Sequence, residues 1–470
     1  MSAASDPVKR RLTLRASRAV AVAVACAVTV TSLPTPAHAQ RMPLIRDAEI
    51  EQLLRDYTRP ILKAAGLAQQ NVKVIIINDR GFNAFVMDGR RIFVNAGALM
   101  DSQTPNQIIG VLAHETGHIA GGHLAKLRTE LANASTMAII AVLLGLGAAV
   151  AGSRSGQVGG NPAAVAMAAP TSMIQRSLLA YQRQHEEQAD RAGVKFLTST
   201  GQSARGMVET FKRFADQQLF ASQGADPYLM SHPMPRERIA ALQEIGKTQF
   251  WDKKDSPELQ LRHDMMRAKL HGFLDQPGIV ARHYPLSDQS LPARYARAIS
   301  TYRHGDLRQA IAQIDGLIQA QPNNPYFYEL KGQMLLEAGR PAEALAPLRR
   351  AVGLAPSPLL IQVMLSQALI ATNDPKAADE AIGHLQKALL TDPDIADGYA
   401  QLAKAYGRKG DIAQADLAAA QAALARGDSR TARQLALRAK ERMPVGSPGW
   451  VKADDIASVR PTGTSGGRRP

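Results

Sequence analysis

The sequence predicts a mainly α-helical chain in two parts: an α+β domain in which a small sheet lies beside one long buried helix, then an α-solenoid of paired helices. Three observations carry this reading. A capped, apolar helix without an internal proline begins near residue 105. Three short runs between residues 72 and 94 are rich in β-branched and aromatic residues. From Gly305 onward, glycine, alanine and proline recur 34 residues apart.

Lys9, Arg10, Arg11, Arg15 and Arg18 precede an apolar run from Ala19 to about Leu33, followed by Ala37-His38-Ala39. That order is a secretory signal peptide, residues 1–39, cleaved after Ala39. A retained anchor is the alternative. Cys26, the single cysteine, lies inside this run, so the mature chain has neither a disulfide nor a thiolate metal ligand. Beyond residue 39, 51 Lys and Arg face 40 Asp and Glu, a formal +11. Such a surface favours anionic lipid headgroups or acidic clients. Basic residues are not interleaved with aromatics, so no nucleic acid partner is expected.

The spacing predicts an amphipathic helix from Asp47 to Gly66, then a strand over Val72–Ile77. Segments 83–87 and 90–94 flank Asp88-Gly89, a pair preferred in two-residue hairpin turns. The free edge of this sheet could align an extended peptide through backbone hydrogen bonds, which reads shape more than sequence. Next comes Thr104-Pro105-Asn106-Gln107, which offers an N-cap threonine, a proline at the first helical position and a glutamine for the reciprocal capping bond.

Two to three turns into that helix stands His114-Glu115-Thr116-Gly117-His118. Residues i and i+4 share a helix face, so the two imidazoles can bind one Zn²⁺. Glu115, one residue round, can take a proton from an activated water and pass it to a leaving amine. The bland reading is a pair of surface histidines. A catalytic zinc needs a third protein ligand. His123 does not supply the metzincin pattern, which requires a histidine where this chain has Leu124; it reads as a helix-surface residue or as one that supports a ligand from behind. Glu186 and Asp190, spaced i, i+4 in a polar helix, offer a carboxylate ligand and an acceptor for a ligand histidine. A solvated acidic face explains their spacing equally well.

His-Glu-Thr-Gly-His, Glu186-Glu187-Gln188-Ala189-Asp190, and Ser231-His232-Pro233-Met234-Pro235 followed by Arg238-Ile239 occur in this order. Together they resemble the HtpX/BepA-type zinc metalloendopeptidases, relatives of the CAAX prenyl proteases, most closely the periplasmic BepA-like branch with C-terminal repeats. The resemblance spans about residues 45–445. It implies a zincin-like (gluzincin) metalloprotease domain and one Zn²⁺ per chain. His114, His118 and Glu186 would be its ligands, Glu115 the general base and Asp190 the residue that orients a ligand. It further implies that His232 can reach the metal as a fourth ligand in a latent state, or act as a transition-state partner. A fourth ligand would fill the position that the nucleophilic water needs. Periplasmic quality control of unfolded or misassembled envelope proteins, with the repeats holding clients or an outer-membrane assembly complex, is the function so implied.

Between Glu130 and Arg154 no residue is charged, a length that could cross a bilayer. A single crossing would put His118 and Glu186 on opposite sides. Residues 131–175 therefore read as an apolar hairpin that covers the site or makes peripheral membrane contact. An ordinary buried helix pair is the plain alternative. The domain expected at 40–250 is followed by bridging helices or a linker at 251–290, with Pro257, Pro277 and Pro285 as punctuation.

Residues 291–444 form the repeat domain. Gly305 and Gly339, Ala310 and Ala344, and Pro322 and Pro356 are pairs 34 residues apart, the tetratricopeptide period. A three-residue insertion is expected around Asp374-Pro375, with about four units ending near Pro444 and a disordered tail at 445–470. Two other classes stay open: a chaperone-like repeat adaptor with a latent or structural zinc site, and a membrane-embedded prenyl-protein protease.

Overall fold

The structure, a computed structural model, describes residues 43–130, 132, 182–220 (217–220 by backbone alone), 232 and 236–459. The expected leader at 1–39, the apolar hairpin at 131–175 apart from residue 132, and residues 460–470 lie outside the described residues. Among the described residues, no helix is long and apolar enough to cross a membrane.

Four short strands form one sheet in the order β1 (Leu44–Ile45), β2 (Lys73–Ile77), β4 (Arg91–Asn95), β3 (Ala84–Asp88). β1 runs antiparallel to β2, β2 parallel to β4, and β3 antiparallel to β4, which leaves β3 on an edge. The β3–β4 turn differs from the expected Asp88-Gly89 type. Asp88 pairs with Arg91, Gly89 has no positive φ, and the Asp88 carboxylate accepts from Arg90 N–H at 2.9 Å and Arg91 Nε at 2.8 Å. The aspartate side chain thus closes the turn as an Asx motif, so no left-handed residue is required.

Helix α1 (Ala48–Ala64) is capped by Asp47, which accepts from Ile50 N–H, and buries Ile50, Leu53, Leu54, Tyr57 and Ile61. After the short α2 (Ala96–Asp101) comes α3 (Pro105–Ala120), whose Ile108, Ile109, Val111 and Leu112 fill the same core. The start of α3 departs from the expected capping box. Thr104 makes no side-chain capping bond, and Gln107 accepts from Gln103 N–H at 2.7 Å, one residue earlier than the reciprocal bond requires. Asn106 fixes this end instead, donating to Ser203 O and accepting from Gly206 N–H, both at 2.7 Å. That ties α3 to α5 (Arg205–Phe220); helical residues 182–199 (α4) and α6 (Arg236–Gly246) complete the site's frame.

The region expected to bridge is a shared wall. α7 (Pro257–Leu274) gives Met266 and Leu270 to the first core and Met265 and Ala268 to the core of the first repeats. Its Lys269, 3% exposed, lies 2.7 Å from Asp47, 3.2 Å from Glu49 and 3.9 Å from Glu329 of the repeats. Tyr295 donates to Glu49 at 3.0 Å, and Lys73 of β2 reaches Asp392 at 2.8 Å and Asp394 at 2.6 Å.

Five helix pairs follow among the described residues. The first two are Leu291–His304 with Leu307–Ala320, and Pro325–Glu337 with Pro341–Leu354. The next two are Leu359–Ala371 with Pro375–Thr391, and Ala396–Arg408 with Ile412–Ala425; Ser429–Glu441 with Pro448–Ser458 is the last. Gly339, Asn373 and Gly410 turn the first helix of the second, third and fourth pairs into its partner with φ of 72°, 61° and 76°. Asn373 lies on the 34-residue period, so the insertion falls after it. Pro375–Thr391 has 17 residues where its counterparts have 14, so the extra residues extend a helix by nearly a turn and leave the Asp374-Pro375 corner unchanged. The expected tail is also corrected. Ser447 caps Pro448–Ser458, Lys440 sits 4.4 Å above the Trp450 ring, and Ala453 and Ile456 are buried. A low-complexity look conceals enough apolar anchors for one more helix.

Burial raises the Glu329 carboxyl, with Asp47 and Glu49 adding to it against the pull of Lys269, to about 8. A carboxyl whose folded pKa exceeds its unfolded value stabilises fully below the unfolded value and loses this contribution as pH rises through the folded one. Melting temperatures at pH 5, 7 and 9 should therefore fall more steeply for the wild type than for Glu329→Gln. Parallel curves would show that Glu329 does not carry this dependence.

Candidate metal centre

Two helices meet at the centre because glycine lets their backbones touch. A Cβ at Gly117 would stand 2.8 Å from the Ala189 carbonyl oxygen, and one at Gly193 would stand 3.2 Å from His114 N. α3 and α4 can approach only without those atoms. The i, i+4 pair of each helix then faces the other: His114 and His118 on α3, Glu186 and Asp190 on α4.

His114 Nε2 and His118 Nε2 lie 3.0 Å apart, and each is 3.4 Å from a different oxygen of Glu186. His232 Nδ1 lies 3.0 Å from Glu186 Oε2 and 3.4 Å from His114 Nε2. One donor atom from each of these four residues falls within 4.8 Å of the other three, and all but His118 are buried. Glu115 is fully buried beside them, His232 Nε2 stands 3.5 Å from its Oε1, and among the described residues neither of its oxygens has a hydrogen-bond partner. A buried carboxylate without partners costs several kcal/mol unless water or a cation meets it. The donor set and the orphaned Glu115 oxygens fit a metal ion with an activated water.

Behind the donors lies a charged brace. His114 Nδ1 lies 2.9 Å from Asp190 Oδ1 in a bent contact. Arg238 of α6 forks onto both oxygens of Asp190 at 2.7 and 2.9 Å and reaches Glu186 Oε2 at 2.8 Å. Phe211 of α5 is the floor, its ring 5.2 Å from the His114 ring and 5.5 Å from the Arg238 guanidinium. Arg238 is thereby committed to the carboxylates.

Burial alone would push the His114 imidazole down, but Asp190 and Glu186 lift it to about 9. Burial and the neighbouring His114 hold His118 well below the usual range. Burial opposes charge on Glu186, yet His232, His114 and Arg238 keep its carboxyl well below the usual range. Asp190 is likewise lowered against burial by Arg238 and His114. Burial pushes Glu115 up.

The six residues singled out in the sequence are therefore brought together, His232 included. The bracing role of Arg238 and the contact points Gly117 and Gly193 carried no signal in isolation, since a glycine inside a helix shows its purpose only when the neighbouring helix is known. His123 lies behind His118, with its Nδ1 3.0 Å from His118 Nδ1.

Residues 45–246 match peptidase family M48, and residues 295–357 match a tetratricopeptide repeat. A putative β-barrel assembly-enhancing protease of Vibrio cholerae is 26% identical over 295 residues, 61% of this chain and 59% of that protein. The β-barrel assembly-enhancing protease of Escherichia coli is 22% identical over 380 residues, 77% of this chain and 73% of that protein. Metalloprotease YcaL of Escherichia coli is 30% identical over 175 residues, 37% of this chain and 61% of that protein. The chain thus spans less than two thirds of the Vibrio relative.

Removing Arg238 would leave two buried carboxylates uncompensated, so Arg238→Ala should cost about 3–5 kcal/mol in chemical denaturation. Gly117→Ala should cost about 1–3 kcal/mol by overpacking and release bound metal as α4 is pushed away. Wild-type metal content in Gly117→Ala would overturn this account of the close contact.

Proposed function

We propose that this chain, a peptidase family M48 metalloprotease with C-terminal tetratricopeptide repeats, is an exported zinc endopeptidase that cleaves misfolded or stalled envelope proteins in the periplasm. The observation that carries the reading is the buried Glu115 carboxylate, whose two oxygens have no hydrogen-bond partner among the described residues and stand beside a His–His–Glu donor set. Zinc suits imidazole and carboxylate donors, and His114, His118 and Glu186 would hold it.

When bound, the ion would polarise the scissile carbonyl and acidify water. Glu115 takes the proton of the attacking water and hands it to the leaving amine. Asp190 and Arg238 keep His114 and Glu186 in place while this happens. β3, at the sheet edge against α3, offers backbone groups to an extended substrate, and this favours unfolded clients of varied sequence. The repeats recruit clients or an outer-membrane assembly complex; the names of the Vibrio and Escherichia relatives support that assignment, and the leader-like residues 1–39 support export. Peripheral membrane contact through 131–175 belongs to the same reading.

His232 favours a resting state that is switched off, because its Nδ1 stands among the donors where the water would enter. The same observation gives some support to the adaptor reading, in which the repeats act and the zinc site is latent.

Two variants separate these readings. Glu115→Gln should retain about one zinc and lose cleavage of an unfolded protein by a factor of about 10² or more. Full biological function in that variant would favour the adaptor. His232→Ala should raise basal cleavage, and unchanged or abolished cleavage would reject the switch.

A further inference from the structure

His123 is bound into the centre by a hydrogen-bond chain that the proposed function does not use. After α3 the backbone turns at Gly122, whose φ is 63°, and this folds His123 back over the last helical turn. There it is 4% exposed, with Nδ1 3.0 Å from His118 Nδ1 and Nε2 3.1 Å from Gln188 Oε1. The His185 ring stacks on it at 4.3 Å with 9° between planes. Gly121 leaves space for the ring, since a Cβ there would stand 2.2 Å from His123 Nε2.

The donors and acceptors along this chain decide where a proton sits. An amide oxygen only accepts, so His123 Nε2 donates to Gln188, and His123 Nδ1 is left as the acceptor. His118 must then carry its proton on Nδ1, which leaves the Nε2 lone pair facing the other donors. Turning the Gln188 amide over would reverse both bonds and move the His118 proton to Nε2, where it blocks ligation. We propose that His123 and Gln188 form a neutral relay that positions His118 as the Nδ1-protonated tautomer, so that its Nε2 can bind the metal. This rests on the metalloprotease reading. The relay differs in kind from the charged Asp190–Arg238 brace behind His114. Carboxylate partners raise the basicity of a ligand histidine, and an imidazole partner raises it less. His118 is therefore the weaker of the two histidine ligands.

The test uses the full chain loaded with Co²⁺, read by transfer of the metal to a chelator and by the paramagnetically shifted N–H resonances of the ligand histidines. Gln188 is exposed, so its variants spare the core. Gln188→Leu removes the acceptor and Gln188→Glu keeps one, while Gly121→Ala pushes against the His123 ring. Wild type and Gln188→Glu should show exchange-protected N–H signals from both His114 and His118. Gln188→Leu and Gly121→Ala should lose the His118 signal to solvent exchange and bind Co²⁺ about 10–100-fold more weakly. Equal retention and both signals in Gln188→Leu would overturn the relay and leave the metalloprotease reading standing. A wild-type chain that takes up no Co²⁺ would overturn both.

Discussion

The contact between α3 and α4 at Gly117 and Ala189 sets the distance on which the whole centre depends. With no side chain at Gly117, the Ala189 carbonyl lies where a Cβ would otherwise be, and Gly193 repeats the arrangement against His114 N. Two helices held this close bring the i, i+4 pair of each to bear on one point. A methyl group in that seam would push Glu186 and Asp190 away from His114 and His118. Sequence-distant α5 and α6 then seal the arrangement, one through the Phe211 ring and the other through the Arg238 fork.

Most of the buried charge among the described residues lies in two places, and the same physics governs both. At the candidate metal centre, Arg238 offsets Asp190 and Glu186, while the two Glu115 oxygens have no hydrogen-bond partner among the described residues. At the seam with the repeats, Lys269 gathers Asp47, Glu49 and Glu329. Buried ion groups contribute little net stability against apolar substitutes, but removing one member leaves a costly orphan. They therefore act as registers. α7 can join its two cores in one orientation that satisfies Lys269, and α4 can meet α3 in one that satisfies Asp190.

The repeats are not a separate appendage on a flexible tether. α7 lends residues to both cores, Ala48 of α1 packs with Ala351 and Ile361, and Lys73 of the sheet reaches the Asp392–Asp394 corner. A partner held by the repeats would act on the helix that leads into the sheet and toward α3, the helix that carries His114 and His118.

Local and periodic features were legible in the sequence because they depend on residues near one another in the chain. The apolar helix with His114, Glu115 and His118, the strands, and the 34-residue period all follow from spacing alone. Where several local solutions were equivalent, the sequence reading missed the one adopted: Asp88 closes its turn through its side chain, Gln107 caps one residue early, three residues lengthen Pro375–Thr391, and Trp450, Ala453 and Ile456 order a helix in the apparent tail. Glu186 and Asp190 had the right spacing, yet a solvated acidic face has the same spacing. Only the tertiary structure decided that this face meets His114 and His118, that Arg238 lies behind it, and that Gln188 meets His123. Each of those contacts joins segments tens of residues apart through backbone approaches of a few ångströms. Such approaches depend on which side chains are missing at the seam, and the sequence shows that a glycine is present without showing what stands opposite it.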